Sequence, residues 1–223
     1  PFGAIADKGQ IYQLIQGFNR GDRIYALVAP AFINQFPTLA STGKLKAALK
    51  ALGFCDVVEV AIGADLCTVD EAHDFLEEVP GKLNFMATSC CPAWSMMAKT
   101  AFPDLAKNIS MTMTPMVFTA RMMKQADPEA RMCFIGPKIA SAQGLAECKK
   151  LLMLAKAGKY NGYLLEGMGC PGGCIGGAGT IADPARTAIA LNKYVKEAPF
   201  QDPEQSAFMT SIHVLKDDPD FEV

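Results

Sequence analysis

The sequence EGMGCPGGCIGG, at residues 166–177, places two cysteines four positions apart in a run of glycines. Pro171 fixes one backbone torsion between Cys170 and Cys174, and the glycines remove side chains, so the backbone can wrap closely around a compact object. A loop that binds polyphosphate would have the glycines without the cysteines. The stretch therefore indicates half of a metal or iron–sulfur site, and we expect further thiolates elsewhere in the chain.

A second cysteine motif, TSCCPAW, lies upstream at residues 88–94. Together, TSCCPxW and ExMxCPGGCxxGG resemble the catalytic domain of the iron-only (FeFe) hydrogenases. Both motifs are long and specific, and they stand in the order found in that family. The resemblance covers most of the chain between and around them.

Composition argues against several other classes of protein. The chain has 223 residues, of which 50% are hydrophobic, and a net charge of -2 without a basic block. Nucleic acid and anionic membrane surfaces are therefore not expected partners, and no apolar run reaches the roughly 20 residues of a membrane span. Eight cysteines admit a secreted disulfide framework, but their clustering in motifs favours metal chemistry in a reducing cytoplasm.

Apolar segments with alternating strand and helix patterns predict an α/β fold. Short strands are predicted at 23–28, 56–62, 83–88, 131–136 and 163–166. Helices are predicted at 10–18, 42–52, 70–79, 94–102, 115–125, 145–157, 183–195 and 204–215. We expect two lobes, each a small, mainly parallel β-sheet flanked by helices, with the cluster site in the cleft between them.

The predicted lobes are residues 9–110 and 111–223, with the boundary near Ser110. Residues 1–8 (PFGAIADK) do not read as a signal peptide. They resemble the end of a ferredoxin-type cluster motif, so the resemblance implies a small ferredoxin-like domain before them. An arbitrary start of the sequence is the alternative.

A third motif of the family is missing between the other two. The resemblance leads us to expect a strand that ends in Met-Pro-Cys or Gly-Pro-Cys and is followed by a lysine and a glutamate. Here the strand ends in Gly136-Pro137 and Lys138 follows. Either the protein has lost that ligand and is a non-catalytic relative, or a segment is absent between Pro137 and Lys138. Residues 138–147 resemble the strand and helix that precede the last motif, which favours the absent segment.

The resemblance also implies a set of cofactor ligands. Cys91, Cys170 and Cys174 would bind a 4Fe–4S cluster, which takes four thiolates, and the missing motif would supply the fourth. Cys174 would also bridge to a two-iron subsite that carries carbonyl, cyanide and a dithiolate, which together form the H-cluster. An apo or inactive form is compatible with the missing motif. The residues expected around the cofactor are Ala29, Pro30, Met116, Pro137 and Met168, and core packing is the alternative for Met116.

Cys90 lies next to a predicted ligand, but neighbours on an extended segment point in opposite directions. The resemblance implies that Cys90 passes protons to and from the two-iron subsite, and that the path continues through Glu71, Ser110 and Asp74. Glu71 and Asp74 lie three positions apart on one predicted helix, where a solvated face is the alternative. Aspartate stands at position 74 where the family usually has glutamate.

The resemblance implies a hydrogenase that interconverts protons and H2. Electrons would come from a ferredoxin-type carrier or a preceding iron–sulfur domain, and maturation proteins would insert the two-iron unit. A relative without the middle cysteine would instead be an iron–sulfur scaffold or a redox or H2 sensor. A zinc-stabilised binding domain is a third alternative, although zinc sites usually have paired CxxC or histidine partners.

Overall fold

A computed structural model of the chain describes residues 10–36, 41–136, 144–177 and 179–211, and the predicted α/β class is confirmed. The strands in these ranges are β1 (Ile24–Val28), β2 (Asp56–Glu59), β3 (Met86–Ala87), β4 (Arg131–Ile135) and β5 (Leu164–Leu165). The helices are α1 (Ile11–Arg20), α2 (Thr42–Ala51), α3 (Ala61–Glu78), α4 (Pro92–Ala101), α5 (Pro115–Ala126), α6 (Leu145–Lys156) and α7 (Pro184–Lys196).

The first sheet has the order β2–β1–β4, and both pairings are parallel. Its central strand β1 buries Ala26, Leu27 and Val28, as expected for a strand that is covered on both faces. On one face, α1 and α2 close a core in which the rings of Phe18 and Phe54 meet edge to face at 5.0 Å. Helix α5 contacts β1 and β4.

The second sheet pairs β3 with β5 in parallel, and Ala87 also bridges to Ile109. Its core lies against α4 and α6 and contains the fully buried Trp94. The indole Nε1 of Trp94 donates a hydrogen bond to the carbonyl oxygen of Thr88 at 2.9 Å. The first cysteine motif is therefore fixed at the start of α4 by its own tryptophan.

Each sheet combines strands from both sides of Ser110, because β4 pairs with β1 and β5 pairs with β3. The predicted ranges 9–110 and 111–223 therefore do not each contain one sheet. Parallel strands need long crossover connections, and here the later strands return to the edges of sheets that earlier strands began.

The largest difference from the predicted elements is the border between β2 and α3. The strand expected at 56–62 ends at Glu59, and the helix expected from residue 70 begins at Ala61. A Cβ at Gly63 would overlap the Pro115 carbonyl oxygen and the Thr119 hydroxyl, so α3 and α5 touch closely there. This packing stabilises helical turns in a segment whose apolar, β-branched residues favour a strand locally.

In the described part of the predicted helix 204–215, residues up to 210 form a 3-10 turn and further turns rather than an α-helix. The Asp202 side chain accepts a hydrogen bond from the Glu204 N–H at 3.0 Å and so fixes a turn. Residues 212–215 lie outside the described residues. No helix within the described ranges is long and apolar enough to cross a membrane. None of the eight cysteines forms a disulfide in the structure.

Candidate functional site

The two cysteine motifs meet at one hydrogen bond. Cys91 follows β3, is buried, and precedes Pro92 at the first position of α4. Its sulfur Sγ accepts a hydrogen bond from the backbone N–H of Gly169 at 3.2 Å. Sulfur is a soft donor of the kind that iron–sulfur clusters use. The contact joins residues that lie 78 positions apart in the sequence.

The glycines of the second motif allow this close approach. A Cβ at Gly169 would lie 2.8 Å from the Cβ of Ala93 and 3.5 Å from the sulfur of Cys91. Gly172 and Gly173 have φ angles of 75° and 72°, which side-chain-bearing residues rarely adopt. The loop can therefore turn between its two cysteines and lie directly against α4.

Gly167 provides a stability test of this packing, because a Cβ there would overlap the Trp94 indole. We expect Gly167→Ala to lower the free energy of unfolding by about 1–3 kcal/mol through overpacking, measured by urea denaturation of the full chain. Gly81→Ala is the matched control, since nothing lies within 4 Å of a Cβ at Gly81 and its φ is not positive. Equal stability of the two variants would contradict the described packing.

The three predicted ligands lie close together around this loop. Cys170 is buried, and Cys174 is exposed in the short 3-10 helix Gly173–Gly176. Partial desolvation raises the pKa of Cys174, and the neighbouring Cys91 and Cys170 raise it further. The sulfur of Met168 lies 4.0 Å from the sulfur of Cys174, and the place of Met168 beside a cluster stays a prediction.

In residue type, these three cysteines match three of the four thiolates that a 4Fe–4S cluster takes. The donors are soft sulfurs, a backbone N–H is directed at the sulfur of Cys91, and the glycines of the loop carry no side chains. Among the described residues, no group of three or more His, Cys, Asp or Glu side chains is arranged to hold a metal ion. The assignment of Cys91, Cys170 and Cys174 as ligands stays a prediction.

The other predicted wall residues that the structure describes lie after β1 or on α5, which packs against the first sheet. Ala29 is buried directly after β1, and its N–H donates a hydrogen bond to the Ile135 carbonyl at 2.9 Å. Pro30 begins a 3-10 turn, and Met116 is 39% exposed in the first turn of α5. Pro137 lies outside the described residues. That these residues and the cysteines line one cofactor pocket stays a prediction.

In the predicted proton path, Glu71 lies near Cys90, Ser110 and Asp74. The half-buried Cys90 thiol has its pKa raised to about 11, first by desolvation and then by the carboxylates of Glu166 and Glu71. Burial also raises the pKa of Glu71, which a hydrogen bond from Ser110 partly offsets. Cys90 is therefore a protonated thiol at neutral pH, with a carboxylate nearby.

Thr112 joins the second half of the path, and the sequence analysis missed it. The Thr112 hydroxyl donates a hydrogen bond to Asp74 Oδ2 at 3.2 Å, and the Thr112 N–H donates one to Ser110 Oγ at 3.2 Å. The signal was present in the alternating stretch ISMTMT, in which Ser110 and Thr112 share one side of an extended segment.

Glu166 was also missed as a neighbour of the path. It raises the pKa of both Cys90 and Glu71. Its sequence signal was its position, since it directly follows β5 and begins the second cysteine motif. The ends of β3 and β5 thus bring a thiol and a carboxylate together.

The fold and the thiol arrangement define an α/β protein with a cysteine-lined site. Residues 22–140 and 136–178 match the family model described as "Iron only hydrogenase large subunit, C-terminal domain". These matches cover more than half of the chain, and the chain belongs to this family. The two matched ranges meet at 136–140, where the sequence analysis places the missing motif.

Three curated relatives are similar to part of the chain. Iron hydrogenase 1 from Clostridium pasteurianum is 27% identical over 52% of this chain and 22% of its own length. The NADP-reducing hydrogenase subunit HndD from Solidesulfovibrio fructosivorans is 30% identical over 47% of this chain and 20% of its own length. The periplasmic Fe hydrogenase large subunit from Nitratidesulfovibrio vulgaris is 32% identical over 38% and 21%. The matched region thus spans about a fifth of each relative.

Solved structures show the same fold over nearly the whole chain. A variant of the FeFe-hydrogenase HydA1 from Chlamydomonas reinhardtii has a TM-score of 0.75 at 14% identity, covering 95% of this chain and 94% of that chain. The structure of HydA(deltaEFG), described in connection with stepwise H-cluster assembly, also has a TM-score of 0.75 at 14% identity, covering 92% and 94%. At this identity the likeness shows the fold alone.

Proposed function

We propose that the chain is the cofactor-binding domain of an iron-only hydrogenase and catalyses the reversible reaction 2H⁺ + 2e⁻ ⇌ H2. The hydrogen bond from Gly169 N–H to Cys91 Sγ carries this proposal. It brings together the two cysteine motifs in a chain that belongs to the iron-only hydrogenase family. Cys174 lies close enough to Cys91 and Cys170 for each of them to raise its pKa.

In this proposal Cys91, Cys170 and Cys174 would hold a 4Fe–4S cluster, and Cys174 would also hold a two-iron subsite with carbonyl, cyanide and a dithiolate. When bound, this cofactor supplies the redox chemistry that joins two protons and two electrons into H2 and reverses it. The protein supplies geometry, electrostatics and the exclusion of water. A segment absent between Pro137 and Lys138 would supply the fourth thiolate.

The residues of the chain then move the protons. Cys90 holds a proton at its sulfur, because its raised pKa of about 11 keeps the thiol neutral at pH 7. Glu71 accepts or returns that proton, and its raised pKa favours the protonated carboxyl more than in an exposed glutamate. Ser110, on the extended segment before α5, and Asp74, on α3, continue the path. Met168, Ala29, Pro30 and Met116 exclude water from the cofactor.

Electrons would reach the cluster from a ferredoxin-type carrier or from an N-terminal iron–sulfur domain, and maturation proteins would insert the two-iron unit. We place the protein in the cytoplasm because its cysteines cluster in motifs typical of metal chemistry in a reducing compartment. One similar protein is named as periplasmic, and cell fractionation distinguishes the two locations.

The second candidate function is an iron–sulfur scaffold or a redox or H2 sensor without catalysis. One observation favours it: Lys138, rather than a cysteine, follows Pro137. An intact mass compared with 23.9 kDa shows whether residues are hidden at the junction of Pro137 and Lys138 or before Pro1. The sequence across the junction then distinguishes the two candidates: a cysteine after Pro137 supports the hydrogenase, whereas a true Pro137–Lys138 bond supports the scaffold.

The proposed function is tested by measuring H2 evolution from reduced methyl viologen. The full chain is first reconstituted without oxygen with iron and sulfide and is then loaded with the two-iron unit. We expect sustained H2 evolution that requires both loading steps. A chain that binds the 4Fe–4S cluster but makes no H2 supports the scaffold, and a chain that binds no iron overturns both functions.

A further inference from the structure

We propose that Thr112 is a positioning residue of the proton path, holding Asp74 and Ser110 in the orientation that the path needs. This inference rests on the proposed hydrogenase function. Thr112 is 6% exposed and Ser110 is 5% exposed, so neither side chain is freely hydrated. Asp74 is half-buried on α3 and receives the Thr112 hydroxyl at its Oδ2 atom.

The residue spacing on helix α3 matches the residue spacing on the extended segment that carries Ser110 and Thr112. Residues three apart on a helix, such as Glu71 and Asp74, have Cβ atoms about 5–6 Å apart on one face. Residues two apart on an extended segment, such as Ser110 and Thr112, are about 6.5 Å apart on one side. The two spacings are close enough for pairing in register, so Ser110 meets Glu71 and Thr112 meets Asp74.

Each polar group of Thr112 has a separate effect. Its N–H occupies a lone pair of Ser110 Oγ at 3.2 Å, which leaves the Ser110 hydroxyl hydrogen free to point at Glu71. Its hydroxyl binds Asp74, which is the last residue of the path when the path is followed from Cys90. Aspartate has a shorter side chain than the glutamate expected at position 74, and the Thr112 hydroxyl explains how this shorter carboxylate is held in place.

The segment that carries Thr112 is itself fixed to the loop that carries Cys90. The Ser89 hydroxyl donates a hydrogen bond to the Thr112 carbonyl at 3.1 Å, and the Ser110 N–H donates one to the Ala87 carbonyl at 2.8 Å. Thr112 therefore keeps a constant position relative to both Cys90 and α3. Such a fixed frame is what a relay of hydrogen bonds requires.

Thr112→Val tests the proposal, because valine has nearly the same shape, keeps the backbone N–H and removes only the hydroxyl. We expect this variant to load cofactor normally and to lose roughly tenfold in H2 evolution, since misplacing a group by 1 Å can cost about 100-fold. Thr112→Ser keeps the hydroxyl and is expected to restore most of the rate. Thr114→Val is the matched control on the same segment, because the buried Thr114 hydroxyl has no hydrogen-bond partner.

A second readout does not depend on the cofactor. In the cofactor-free full chain, Thr112→Val is expected to lower the urea midpoint of unfolding in the wild-type background but not in an Asp74→Ala background, since the two groups then no longer interact. Equal shifts in both backgrounds, or a Thr112→Val rate equal to that of Thr114→Val, would overturn the positioning role. A wild-type chain that is loaded but makes no H2 overturns the proposed function instead, and this inference with it.

Discussion

Replacing Cys174 with alanine is expected to abolish retention of the two-iron unit. Cys174 is the predicted bridge between that unit and the 4Fe–4S cluster, and no other thiol of the second motif is free for that role, since Cys170 is predicted to bind the cluster. The measurement is the infrared spectrum of the matured variant in the region of carbonyl and cyanide stretching. We expect the bands of the wild-type chain to be absent.

Cys55→Ala is the control for this experiment. Cys55 is also an exposed free cysteine, but it lies just before β2 in the first sheet and outside both cysteine motifs. This variant should keep the wild-type bands. Bands of wild-type intensity in Cys174→Ala would show that the bridging assignment is wrong.

Replacing Cys90 with alanine is expected to keep the cofactor but to remove most of the turnover. A positioned group that transfers protons typically contributes about 10²–10⁴-fold to a rate, and alanine offers no proton at this position. Cys90 is not a predicted ligand, so the infrared bands and the iron content should stay at the wild-type level. The measurement is H2 evolution per loaded two-iron unit.

Cys67→Ala controls for the loss of a nearby thiol. Cys67 is buried on α3, and its pKa is raised to about 12, first by desolvation and then by Glu71 and Cys90. It lies near the same carboxylate but is not part of the predicted path. If Cys90→Ala evolved H2 as fast as Cys67→Ala, the relay role of Cys90 would be excluded.

The fold class followed from the sequence because apolar strands and amphipathic helices alternate along the chain. The border of β2 and α3 did not follow, since VVEVAIG reads as a continuing strand and only the contact of Gly63 with α5 shows why it turns helical. The pairing of β4 with β1 and of β5 with β3 could not be predicted from the sequence either. Which strands pair depends on crossover connections rather than on any local pattern.

Some residues of the site could likewise be predicted from the sequence, and others could not. The cysteines and Met168 were predicted because the two motifs contain them, and the structure places the two motifs in contact through Gly169 and Cys91. Thr112 and Glu166 depend on which face of α3 meets which extended segment. A single sequence does not contain that register, although the alternation around Ser110 indicates which side chains are available for it.

The most direct test of the cysteine-based cluster is the electron paramagnetic resonance spectrum of the reconstituted, dithionite-reduced chain, together with its iron and sulfide content. We predict the signal of a reduced 4Fe–4S cluster, with about four irons and four sulfides per chain, and its loss in Cys91→Ala. A signal that is unchanged in Cys91→Ala, or a chain that binds zinc and no iron, would contradict the cluster assignment.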